Sequence, residues 1–263
     1  MSDIIFAKPV HLYESYSDLW RIVELSGYPI ITIGDIDPAS DNCYLFSTPD
    51  THWHDGTERR GWPDARARII YFNIEWYMDV DYSAIPGVEV WSADQWHAEK
   101  TNTRYIPLGS HPGLKSYPES PNGKVYDVVT LWASSFNRYR GLGQLREHNV
   151  ALAPNGWGDE RHDSLMRSRV MCHVHQWPDK PTCAPQRFAL AAAYGLPMIS
   201  ETMANGGIFT GDTILTHDMD GLGGFVAEWL KHERMAELNQ HGAALHELLC
   251  VEWGFRKVVE GAV

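Results

Sequence analysis

The side chains best suited to hold a phosphate ester lie at residues 182–187, Thr-Cys-Ala-Pro-Gln-Arg. Residues 170–174 ahead of them read as a short buried strand. Residues 184–194 read as a helix, because Phe188, Leu190, Ala191 and Ala192 recur at helical spacing. Pro185 suits the first helical turn, where a missing N–H costs nothing, and Gly195 with Pro197 stops the helix. A strand, a loop and a helix start leave backbone N–H groups unpaired at the positive end of the helix dipole, which attracts anions. Arg187 adds a forked cation in that first turn. Ala184, Pro185, Gln186 and Arg187 are therefore candidates for binding a phosphate group.

Two other strand ends in this half offer small or polar groups. Ser134 and Ser135 follow a strand at 126–132, and Asn155, Gly156 and Trp157 follow one at 150–153. A doubly wound sheet collects such loops along one edge, where ligands bind. Arg138 and Arg140 follow the first loop and would add positive charge beside a bound phosphate; their plain alternative is a solvated helix face. Trp157 and Trp177 are candidates for stacking on a base or sugar.

The first half offers proton acceptors. His52 and His54 stand in a long polar loop between Asp50 and Asp55, and Glu75 directly follows the strand at 68–73. Any of the three could take a proton from a hydroxyl. Arg59, Arg60, Trp62 and Trp76 form a basic and aromatic group suited to an acceptor. The pairs His52/His54 and His173/His175 have the alternate spacing that could share an ion on a strand. No H-E-x-x-H or paired C-x-x-C pattern accompanies them, and no metal is expected.

These residues need a scaffold that brings strand ends together. Strands are expected at 4–7, 29–33, 43–46, 68–73, 88–91 and 104–108, with helices at 14–25 and 93–100. Residues 113–124 are rich in proline, glycine and serine and read as a linker. After it come helices at 138–147 and 159–168, strands at 198–200 and 213–216, and closing helices at 224–232, 235–246 and 251–259. The alternation predicts an α/β protein with two Rossmann-like lobes, at 1–112 and 125–263.

The 263 residues suffice for that core, and 44% hydrophobic with 21% charged residues is ordinary for a globular chain. A net charge of −12 disfavours non-specific binding to nucleic acid or anionic membranes. The four cysteines lack the spacing of a disulfide scaffold, and no apolar run is long enough to span a bilayer. The expected location is cytoplasmic, in a host cytoplasm if the gene is a phage's. The oligomeric state is not legible.

The run R-F-x-L-A-x-x-x-G-x-P-x-I from Arg187 to Ile199 resembles the donor-site helix of GT-B glycosyltransferases. It is most similar to the branch reading R-x-F-E-A-L-A-x-G-x-P. The resemblance implies a cleft between two Rossmann-like lobes, with the last helix crossing back to the N-terminal lobe. It implies a nucleotide-diphosphate sugar in the second lobe, a UDP-sugar first among them, and no other cofactor. It further implies transfer to a hydroxyl on a small molecule, a protein or a hydroxymethylated DNA base. The family's ribose-binding glutamate, five residues before the glycine, is Leu190 here. Two alternatives follow: a nucleotide-sugar-binding protein without turnover, and a histidine-based metal hydrolase.

Overall fold

The computed structural model describes residues 3–9, 17–47, 62–74, 85–115, 123–131 and 135–263. Two all-parallel sheets organise them. The first contains β1 (Ile4–Lys8), β2 (Ile30–Thr32), β3 (Cys43–Phe46), β4 (Arg68–Asn73), β5 (Glu89–Ser92) and β6 (Arg104–Tyr105) in the order β2-β1-β3-β4-β5-β6. Helices α1 (Ser17–Leu25) and α2 (Gln95–Thr101) connect within it. The second contains β7 (Tyr126–Val129), β8 (Ser168–His173), β9 (Met198–Glu201) and β10 (Leu215–His217) in the order β10-β9-β8-β7. Its helices are α3 (Phe136–Glu147), α4 (Gly158–Met166), α5 (Pro185–Tyr194), α6 (Leu222–Trp229), α7 (Met235–His246) and α8 (Phe255–Ala262). None of the described helices is long and apolar enough to cross a membrane.

The central strands are apolar because both their faces are covered, as parallel sheets require. In β3, Cys43 and Leu45 face one cluster while Tyr44 and Phe46 face another, and β4 divides the same way. The first of these clusters does not stop at its own sheet. It runs from Phe6, Leu45 and Phe72 through Leu114 to Met171, Phe188 and Met198 of the second sheet. One continuous core therefore holds both sheets.

Several expected elements are shorter or displaced. The strand at 104–108 pairs only over Arg104–Tyr105, because Pro107 has no N–H to extend the ladder. The strand at 150–153 reduces to a single parallel bridge between Leu152 and Val128. Where the expected linker begins, residues 112–114 form a tight helical turn whose Leu114 is fully buried. The expected helix at 251–259 is divided. A π-helical turn, Glu247–Glu252, continues α7, the chain bends at Gly254, and α8 begins at Phe255.

Helix α8 packs on the first sheet. The Phe255 ring centre lies 5.6 Å from that of Phe6, and Arg104 donates to the Ala262 carbonyl at 2.8 Å. The backbone of residues 253–255 presses on Gly109 so closely that a Cβ there would sit 2.0 Å from the Trp253 carbonyl.

Buried charges tie α1 to α4. Arg161 donates to the Asp18 carboxylate, and both side chains are buried. His162 Nε2 lies 3.2 Å from the other Asp18 oxygen, while His162 Nδ1 meets the Tyr194 hydroxyl. Burial alone would raise the Asp18 pKa; the His162 hydrogen bond and the Arg161 charge outweigh it and hold the carboxyl below its usual value. Removing one member of such a pair leaves the other charge buried without compensation. The substitution Asp18→Ala should therefore destabilise the protein by about 3–5 kcal/mol, more than Asp18→Asn, as read from urea unfolding midpoints. A loss below about 1 kcal/mol would mean that Arg161 finds solvent without moving the two sheets apart.

Candidate active site

The second sheet has a topological switch point between β7 and β8. From β7 the chain crosses to Leu152 on one side; from β8 it crosses to β9 on the other. Loops that part in this way leave a crevice beyond the strand ends. A cavity of about 390 Å³ lies there. The first sheet contributes Asn73, Ile74, Asp94 and His97 to its wall, and the second contributes the turn at 182–187 with Arg138, Trp157, Arg161, His173 and His175.

Asp94 fixes the turn. One carboxylate oxygen accepts from the His97 N–H at 2.7 Å and so caps α2; the other accepts from the Cys183 N–H at 2.7 Å. Burial raises the Asp94 pKa, against the pull of these hydrogen bonds. Downstream, the Arg187 and Phe188 amides both donate to the Ala184 carbonyl, at 2.8 and 3.1 Å. Pro185 has no N–H. The amides of Ala184 and Gln186 meet no acceptor among the described residues and remain as the donors of the helix start.

Three guanidinium groups line the same cavity. Arg187 donates to His173 Nδ1 at 3.1 Å. Burial first, then the Arg187 charge, keeps the His173 pKa well below its usual value. Arg138, which is 4% exposed, donates to the Val174 carbonyl at 3.2 Å and to Gln176 at 3.4 Å. Its neighbour Asn137 donates to the His175 carbonyl at 3.0 Å, and Glu201 accepts from the His175 N–H at 3.0 Å. The chain leaving β8 is thus held by side chains of α3 and β9. Arg161 stacks on the Trp157 ring, 4.1 Å from its centre, and braces that half-exposed indole at the cavity mouth. Leu190 closes part of the wall.

The structure brings together Ala184, Pro185, Gln186, Arg187, Arg138 and Trp157 from the sequence-based set. It places the others elsewhere. Ser135 spends its hydroxyl as the cap of α3, accepting from the Arg138 N–H at 3.3 Å. Arg140 turns outward to Asp220, a solvated pair outside the cavity wall. Asn155 is exposed away from the cavity, and Gly156 lies against the Glu160 side chain, where a Cβ would come within 2.5 Å. Trp62 packs edge-on to Phe46, ring centres 5.9 Å apart, as part of a first-sheet core and not of this cavity. Ser134, His52, His54, Glu75, Arg59, Arg60 and Trp76 lie outside the described residues.

Asp94 and Arg161 were not among the expected site residues. Asp94 was recognisable as an N-cap before a helix, although its second partner was not. Arg161 sits in an acidic segment, and its partner Asp18 is 143 residues away, so no local pattern marks it. Among the described residues no three His, Cys, Asp or Glu side chains converge as metal ligands. His173 and His175 line the cavity, but Arg187 occupies Nδ1 of the first and the Thr202 carbonyl faces Nε2 of the second.

No protein-family model and no curated protein sequence matches the chain. Solved structures do. The glycosyltransferase AviGT4, involved in avilamycin A biosynthesis, superposes with a TM-score of 0.59 at 11% identity, over 100% of this chain and 96% of that one. HepE of Anabaena, solved with UDP and glucose, gives 0.58 at 11% identity over 100% and 99%. The T4 phage enzyme BGT, solved with its UDP-glucose substrate, gives 0.54 at 9% identity over 99% of each chain. The chain also spans 86% of its own length and 55% of TarM's, with a TM-score of 0.50. The fold is thus mixed α/β with parallel sheets, and its neighbours among solved structures are GT-B glycosyltransferases.

The cavity's buried imidazoles have a consequence for acid stability. His97 lies between Ser92 and Asn73, and burial lowers its pKa to about 4. The unfolded chain takes up this proton near pH 6.5, whereas the native protein does not until about pH 4. Stability is therefore fully present above pH 6.5 and falls as pH drops through that window, by roughly 2–3 kcal/mol for this group. Urea midpoints measured from pH 7 to 4.5 should show a shallower decline in His97→Gln than in the wild type. Equal slopes would contradict a proton-excluding His97.

Proposed function

We propose that the cavity binds a nucleotide-diphosphate sugar and that the protein is a glycosyltransferase. The observation that carries this reading is the open helix start. The amides of Ala184 and Gln186 and the Arg187 side chain line one cavity with Arg138, and an anion is the ligand such a corner favours. In glycosyl transfer, the charge that grows as the bond breaks sits on the leaving diphosphate. Trp157 and Trp177 at the mouth are candidates for stacking on the base or sugar. A UDP-sugar is the first donor to try, since two solved structures of this fold hold UDP or UDP-glucose.

The reading divides the chain into an acceptor lobe at 1–112, a linker at 113–124 and a donor lobe at 125–263. The acceptor hydroxyl would meet the donor from the side of Asn73 and Ile74, the two residues preceding Glu75. His52, His54 or Glu75 would take its proton. If configuration is retained, the leaving phosphate takes it instead. The acceptor class is a small molecule, a protein or a hydroxymethylated DNA base. The net charge of −12 weighs against DNA, and Arg59 and Arg60 with Trp76 weigh for it. Leu190 in the cavity wall favours one alternative, a protein that binds a nucleotide sugar without transferring it.

Isothermal titration with UDP-, GDP- and dTDP-glucose tests the donor assignment. At least one should bind, and Arg187→Ala should weaken it by about 2 kcal/mol, near thirtyfold, the worth of a charge-assisted hydrogen bond. No binding by any of the three, or unchanged affinity in the variant, would reject the site. For the acceptor, a gel-shift series with hydroxymethylated duplex should lose affinity steeply with salt if DNA is bound; absence of a shift at low salt removes DNA.

A further inference from the structure

Trp157 stands between two glycines, Gly156 and Gly158, so its chain neighbours give it no side-chain support. Its indole is 46% exposed at the cavity mouth. What braces it is Arg161 of α4, whose guanidinium carbon lies 4.1 Å from the ring centre. Arg161 is itself 5% exposed, and a buried charge needs an anchor. The anchor is Asp18, in the first turn of α1 and 143 residues away in the chain. His162 Nε2 reaches the second Asp18 oxygen at 3.2 Å, and Tyr194 of α5 meets the other nitrogen of that ring. The contacts therefore run from a helix of the first sheet, through a buried ion pair, to an aromatic ring beside the second. Trp177, the other indole of the mouth, has Lys180 over its ring at a longer 4.9 Å, and both belong to one loop between β8 and α5.

Arg161 covers one face of the Trp157 ring, so a ligand meets the other. The corner at 184–187 follows β8, whereas Trp157 follows the bridge at Leu152, across the switch point. A nucleotide sugar whose diphosphate sits at that corner has two ends to place. The sugar must turn toward Asn73 and Ile74, where the acceptor would come in. The base is left for Trp157, and a flat heterocycle is what a fixed indole face receives well. Fixing the ring beforehand removes the cost of ordering it when the ligand arrives.

We propose that Asp18 and Arg161 are positioning residues that hold Trp157 as the stacking platform for the base of the nucleotide sugar. This rests on the donor-site reading above and deepens it, because it assigns the base to one ring and makes α1 part of the donor site. Arg161 acts through the indole and not on the phosphates.

The test is isothermal titration with whichever of UDP, GDP and dTDP the wild type binds best, and with inorganic pyrophosphate in competition against it; thermal melts check folding. The wild type should bind the nucleotide more tightly than pyrophosphate. Trp157→Ala should weaken the nucleotide about tenfold and Trp157→Phe less than about threefold, both leaving pyrophosphate within about twofold. Arg161→Lys keeps a cation for Asp18 but not the planar group over the ring. Asp18→Asn/Arg161→Met removes both buried charges together. Each should weaken the nucleotide about fivefold and spare pyrophosphate, and Arg161→Lys should add nothing in a Trp157→Ala background, since its effect passes through that ring. Should the double variant unfold, Arg161→Lys decides. If the wild type binds none of the three nucleotides, the donor-site reading fails and takes the inference with it. If a nucleotide binds and folded Trp157→Ala loses nothing, or loses pyrophosphate equally, the inference alone is overturned. No loss in Arg161→Lys, or an equal loss of nucleotide and pyrophosphate, would overturn it as well, the second by placing the guanidinium on the phosphates.

Discussion

A single buried carboxylate sets the geometry of the site. Asp94 caps α2 in the first sheet and holds the Cys183 amide in the second, with both hydrogen bonds at 2.7 Å. Taking a carboxylate out of water is costly, and the two amide donors offset part of that cost. The arrangement also orients the next turn. With the Cys183 N–H turned to Asp94, the following amides, Ala184 and Gln186, are left at the cavity. The corner proposed to receive the anion is therefore made by both sheets jointly and not by α5 alone.

The same economy appears in the surroundings of the corner. Polar groups past the end of β8 have no ladder to join, and α3 and β9 supply Arg138, Asn137 and Glu201 in its place. Arg161, which could have added a loose charge to the cavity, is bound to Asp18 and braces Trp157. The continuous core from Phe6 to Met198 and the α8 contacts at Gly109 then oppose a wide separation of the sheets. A ligand entering this cavity meets a preformed wall, which lowers the ordering cost of binding.

Local chemistry made part of this readable in the sequence. Apolar runs such as 43–46 and 68–73 are strands because both their faces are buried, and Pro185 with Gly195 brackets α5 as their backbone preferences require. That residues 184–187 would line the cavity was legible for the same reason. What was not legible depends on distant partners. Nothing near Arg140 says that Asp220 draws it outward, and nothing near Arg161 names Asp18. Trp62 reads as an acceptor contact beside its arginines, yet it packs on Phe46. The histidine pair was visible as spacing only. Their contacts with Arg187 and the Thr202 carbonyl come from distant residues that no local pattern marks.

The central claim is that the opening of α5 holds a diphosphate. A crystal structure of the protein soaked with UDP tests it most directly. The account predicts phosphate oxygens within hydrogen-bonding distance of the Ala184 or Gln186 amide and of the Arg187 guanidinium. A diphosphate bound elsewhere, with the corner at 184–187 filled by protein or left to water, would contradict it.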